Sequence, residues 1–171
     1  MIRVTRSGLT DVDAAAVMRS VGADLQPCTS VDRALGDRAG DDVLGRLRAF
    51  GDLPVGGAVV TPGGGLGCDL LIHVVIRSSE EPVSETTLSK AFRNGLRQAA
   101  EWGVGVLVVP PLGTGAGNLE MEVSARVMCA LTKEHALSAP HPVQIVVLAG
   151  SAYEEEVFSG EAVRTFGVSA R

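Results

Sequence analysis

Apolar positions recur along this chain in two rhythms. Leu70–Ile76, Val106–Val109 and Val143–Leu148 are nearly continuous apolar runs, as expected of strands covered on both faces. Ser84–Trp102 instead repeats Leu88, Ala91, Phe92, Leu96 and Ala99 at the spacing of one buried helix face, with Ser84 able to cap it. Ile2–Arg6 alternates and reads as a short strand, Ala14–Met18 is a second short apolar run, and Ala58–Thr61 reads as another strand. Ser30–Ala39 and Asp41–Phe50 read as short helices parted by Gly40, and Leu119–Glu134 and Tyr153–Phe166 as later ones. Gly22–Ser30, with Gly and Pro as breakers, is loop-like.

Strands alternating with helices late in the chain predict parallel pairs, and strands on either side of the Pro62–Gly67 turn predict an antiparallel portion. The expected fold is α/β, a mixed sheet between two helical layers. Neither a disordered linker nor an internal repeat divides the sequence, so residues 1–171 are expected to form a single domain.

Composition narrows the function. The 46% hydrophobic content with only 4% aromatics suits an interior packed by Val, Leu and Ala. A net charge of −5, without any Lys/Arg run, argues against general nucleic-acid binding. No run of 18 apolar residues suggests a membrane span, and the apolar part of MIRVTRSG is too short for a signal peptide. Cys28, Cys68 and Cys129 are scattered and read as reduced thiols of a cytoplasmic protein. His/Cys/carboxylate spacing suggests no metal, and no cofactor is expected.

The most informative stretch is Val106–Met128. A buried strand runs into Gly113-Thr114-Gly115-Ala116-Gly117, and an amphipathic helix follows with Asn118 placed as its N-cap. Glycines allow positive φ and close approach of the backbone to a ligand. The first helical turn offers unpaired N–H groups and the positive end of the dipole. The loop also lies at the carboxyl end of a strand, where open α/β sheets bind ligands. It lacks the last glycine of a dinucleotide fingerprint and the Lys-Ser/Thr pair of a P-loop. Glu120 and Glu122 suit the dipole but would repel a phosphate if they faced it.

Other candidates read more simply. Thr29-Ser30-Val31-Asp32 fits a helix N-cap, with a second phosphate- or ribose-facing loop as the functional alternative. His73 lies inside an apolar strand and reads as a satisfied core histidine, whereas His135 and His141 look solvent-exposed. Glu154-Glu155-Glu156 reads as a solvated helix face, and no Ser/His/Asp or Cys/His set can be assembled.

Three stretches resemble the macrodomain family, whose members bind ADP-ribose and related nucleotide-diphosphate metabolites. Val55–Gly63 followed by Leu71-Ile72-His73 looks like that family's VGEAVVTPG…VIH segment; Pro111–Gly117 looks like its GTGxGG phosphate loop; and Ser30–Leu35 through Arg38-Ala39-Gly40 looks like its GVDGAI…RAAG helix. The resemblance implies a three-layer α/β/α fold with a mixed central sheet. It implies that Gly113, Thr114, Gly115, Ala116, Gly117 and Asn118 wrap a distal ribose and diphosphate, with Thr29, Ser30, Val31 and Leu9 also at the ligand. Asp32 falls where some hydrolytic members place a catalytic Asp.

The departures from the family are specific. Gly8 stands where the family's adenine-binding Asp would be, and Val17–Val21 replaces the VNAAN stretch with its catalytic Asn. Cys28-Thr29-Ser30 replaces GGG, and Leu148–Ser151 lacks the aromatic that often stacks on the ligand. The resemblance therefore implies a non-catalytic module for ADP-ribose or a related phosphorylated metabolite, with weak or altered specificity. The alternatives are a hydrolase of ADP-ribosyl or O-acetyl-ADP-ribose substrates using Asp32, and a degenerate, ligand-free module serving a protein partner.

Overall fold

The computed structural model describes residues 1–115 and 118–167. Its strands are β1 (Ile2–Thr5), β2 (Ala16–Gly22), β3 (Ala58–Pro62), β4 (Leu70–Arg77), β5 (Val106–Val109) and β6 (Gln144–Leu148). Its helices are α1 (Ser30–Ala39), α2 (Asp41–Arg48), α3 (Glu85–Glu101), α4 (Met121–Ala136) and α5 (Ala152–Phe166). The six strands form one sheet in the order β1-β6-β5-β2-β4-β3. Every neighbouring pair is parallel except β3–β4, which is antiparallel through the Pro62–Gly67 connection.

The two-residue period of a strand sends alternate side chains to opposite faces. In β4, Ile72, Val74 and Ile76 join Phe92 and Leu96 of α3 in the larger core, which also holds Phe158 of α5. Leu71, just before them, turns to the other face with Val17, Val108 and Val146, against Ala39 of α1 and Val43 of α2. Farther along the same face, Val75 and Val21 pack on Leu47 of α2. Helices α3, α4 and α5 thus cover one face and α1 and α2 the other, giving the expected mixed sheet between two helical layers.

Local chemistry sets the helix ends. Ser84 caps α3 by accepting from Thr87 N at 3.1 Å, as its position predicts. One expectation is corrected: α4 begins at Met121 with Glu120 as its N-cap, so Asn118 does not cap it. Asn118 is engaged earlier, its backbone N–H donating to Gly115 O at 3.1 Å and its side-chain Nδ2 to Thr114 O at 3.3 Å. These bonds tie Asn118 back to the glycine loop, two residues ahead of the Glu120 cap.

Candidate functional site

Because β1, β6 and β5 run parallel, the chain leaves all three at one end of the sheet. Ser7–Leu9, Ala149–Gly150 and Pro110–Gly115 emerge there, opposite the first turn of α1. Between them is a cleft of about 500 Å³. Val17, Val108 and Leu148 of the sheet and Leu35 of α1 line it with apolar surface, as do Pro110, Pro111 and Met121. Of the residues expected at a ligand, Leu9, Thr29, Ser30, Val31, Thr114 and Gly115 line this cleft.

The α1 wall is built by reciprocal capping. Thr29 Oγ1 accepts from Asp32 N at 3.1 Å, and the Asp32 carboxylate accepts from Thr29 N at 3.1 Å. Ser30 and Val31 are the first two residues of the helix, and their N–H groups have no preceding helical carbonyl to meet. The positive end of the α1 dipole therefore lies at the cleft wall.

The opposite wall is the glycine loop. Gly113 and Gly115 have φ of +75° and +114°, conformations that exclude most other residues. Gly113 sits behind the cleft surface, where a side chain would press on Leu119 and Val83. Its carbonyl accepts from Leu119 N at 3.0 Å, and the base of the loop is anchored by Ser124 Oγ donating to Leu112 O at 2.7 Å. Ala116 and Gly117, also expected at the ligand, lie outside the described residues. A Cβ built on Gly115 would be 3.7 Å from Thr29 Cγ2, so the two walls meet side by side.

The structure places Asp32 away from the cleft lining. It is 1% exposed, and its carboxylate accepts from Ser20 N (3.0 Å), Ser20 Oγ (2.7 Å), Thr29 N (3.1 Å) and Thr29 Oγ1 (2.8 Å). A carboxylate so occupied joins α1 to β2, leaving little capacity to activate a water. His73 is likewise a core residue: its Nδ1 accepts from Arg19 Nε at 3.0 Å, and its Nε2 lies 2.9 Å from Thr61 Oγ1. Burial, helped by the neighbouring Arg19 charge, lowers its pKa to about 3.

Sequence reasoning missed Glu154. Its carboxylate turns back from α5 to accept from Gly150 N at 2.6 Å, and it lines the cleft. It is the one charged side chain among the described lining residues, so Glu154 is corrected from a solvated helix face to a cleft residue. The available signal was Ser151-Ala152-Tyr153-Glu154, a capping-box pattern that holds Glu close to the helix start. Glu120 and Glu122 are absent from the described lining, and Glu122 accepts instead from Tyr153 Oη at 2.5 Å. His135 and His141 are half-buried, with His135 Nε2 2.8 Å from the His141 carbonyl, which corrects the expectation of exposure. Among the described residues there is no group of three or more His, Cys, Asp or Glu able to hold a metal, and no helix long and apolar enough to cross a membrane.

Residues 20–128 match the family model of the Macro domain. A macro domain-containing protein of Streptomyces griseus is 29% identical over 163 residues, covering 91% of this chain and 92% of that one. An Oceanobacillus iheyensis macrodomain point mutant solved with ADPR superimposes with a TM-score of 0.79 at 19% identity, covering 95% and 90% of the two chains. The Trypanosoma brucei macrodomain in complex with ADP-ribose gives 0.80 at 19% identity, covering 92% of this chain and 67% of that one. The family match spans more than half of the sequence, and the chain belongs to the macro domain family.

Proposed function

We propose that this chain is a non-catalytic module that binds ADP-ribose, or a related nucleotide diphosphate, in the cleft between the α1 N-terminus and the glycine loop. The observation that carries the reading is the juxtaposition of Thr29 with Gly115. It brings the free Ser30 and Val31 N–H groups of the first α1 turn and a positive-φ glycine loop to one cleft, and backbone N–H groups of both kinds are suited to phosphate oxygens. Two structural neighbours, named as macrodomains with ADPR and with ADP-ribose, support the ligand class. The open cleft favours a ligand-binding module over a degenerate, ligand-free one.

The four hydrogen bonds on the Asp32 carboxylate favour binding over hydrolysis. Affinity is expected to be modest. Gly8 offers no side-chain acceptor, and losing one hydrogen bond to a charged group forfeits about 1.5–3 kcal/mol, roughly ten- to a hundredfold in Kd. Titration calorimetry with ADP-ribose tests the reading: saturable one-to-one binding is expected. The absence of both heat and thermal stabilisation at millimolar ligand would exclude ADP-ribose.

A further inference from the structure

On the side of α1 away from the cleft lies a second, smaller cavity of about 90 Å³, with Arg19, Arg33, Arg48, Gln26, Gly36 and Asp37 in its lining. At roughly 30 Å³ per water, it has space for about three waters or one compact anion, and far too little for a nucleotide. Arg19 is a strand residue with its guanidinium buried, and the side chain is 1% exposed. Its Nε donates to His73 Nδ1 at 3.0 Å and its Nη1 to the Asp32 carbonyl at 2.9 Å. Both acceptors are uncharged. Among the described residues, Nη2 has no protein acceptor, and no carboxylate oxygen lies within ion-pair distance of Arg19.

A buried cation in this state is costly unless an anion meets it. Burial lowers the Arg19 pKa, and the fields of Asp32 and Asp37 only partly oppose that effect. The sequence makes room for the group: at Gly36 any side chain would collide with the Arg19 guanidinium. The cavity lining carries three arginines and one carboxylate, Asp37, and the buried Asp32 carboxylate also acts on Arg19, so positive charge remains in excess. A planar guanidinium suits the paired oxygens of an oxyanion.

We propose that this cavity is a binding site for a small oxyanion of the inorganic phosphate class, with Arg19 at its floor and Arg33 and Arg48 at its mouth. The site is separate from the cleft, because Val31 and Leu35 of α1 line the cleft while Arg33 and Asp37 line the cavity. It does not depend on the cleft reading.

The test is a titration with inorganic phosphate at constant ionic strength, following the Arg19 Nε–H resonance by NMR and thermal unfolding in parallel. Saturable movement of the Arg19 resonance is expected. At about ten times Kd, unfolding should rise by about 3 °C. Arg33→Gln with Arg48→Gln, both at exposed positions, should weaken the response about tenfold or more while leaving the fold intact. Gly115→Val, which obstructs the cleft, should leave it unchanged. An Arg19 resonance that does not move in the folded wild type overturns the proposal. So does a response that survives the double arginine substitution, or one abolished by Gly115→Val alone.

Discussion

Gly115 and Thr29 are neighbours across the candidate cleft: a Cβ on the glycine would stand 3.7 Å from the threonine methyl. One residue comes from a strand-to-helix loop late in the chain and the other from the cap of the first helix. Their proximity is what places the two walls at one cleft. Gly115→Val would fill the space between them and force a β-branched residue to φ +114°. ADP-ribose affinity is expected to fall at least about tenfold, a loss of about 1.4 kcal/mol or more. Calorimetry on wild type and variant, with thermal unfolding as the folding control, checks this.

Asp32→Ala should register as a loss of stability. It strips an acceptor from Ser20 N, Ser20 Oγ, Thr29 N and Thr29 Oγ1, inside the protein. A cost of about 3 kcal/mol is expected, read as a lower urea midpoint with unchanged slope. Wild type should show no turnover of O-acetyl-ADP-ribose. Turnover by wild type that Asp32→Ala abolishes while the variant remains folded would restore the hydrolase reading.

His73 gives the fold an acid limit. Its folded-state pKa of about 3 lies below the ordinary value of 6.5, so the unfolded chain takes up the proton first. The contribution of neutral His73 is therefore fully present above pH 6.5 and is lost as pH falls toward 3, at roughly 1.4 kcal/mol per pH unit within that window. Urea unfolding from pH 7 to 4 should show this slope. His73→Gln, which keeps an acceptor for Arg19, should flatten it.

Glu154 sets the electrostatics of the cleft at the β6 end. Only one of its carboxylate oxygens is taken by Gly150 N, leaving the other to accept from ligand hydroxyl or amino groups. Glu154→Gln keeps an acceptor for Gly150 but removes the charge. ADP-ribose is expected to bind about three- to tenfold more weakly, measured by calorimetry at fixed salt.

Much of this architecture was legible because local and global signals agreed. Val106–Val109 is a strand with the bounds its apolar run predicts, and Ser84 caps a helix whose periodicity marks its buried face. Strand β2 was only half visible. Its apolar run stops at Met18, yet the strand continues through Arg19 and Ser20. Asp32 satisfies Ser20, and His73 and the Asp32 carbonyl take two of the Arg19 donors, all from outside the strand itself. Tertiary partners of this kind leave no periodic trace. The cleft lining was legible where it is made of backbone, at Thr29–Val31 and at Thr114 and Gly115, whereas Gly113, expected at the ligand, sits behind it. The lining was obscure where one side chain turns back on its own helix start, as Glu154 does.

ADP-ribose is proposed to occupy the cleft between α1 and the glycine loop. The most direct measurement is an amide NMR titration of the wild-type protein with ADP-ribose. Saturable shifts concentrated at Ser30, Val31, Thr114 and Gly115 are the expected result. No shifts at millimolar ligand, or shifts confined to residues remote from this cleft, would contradict it.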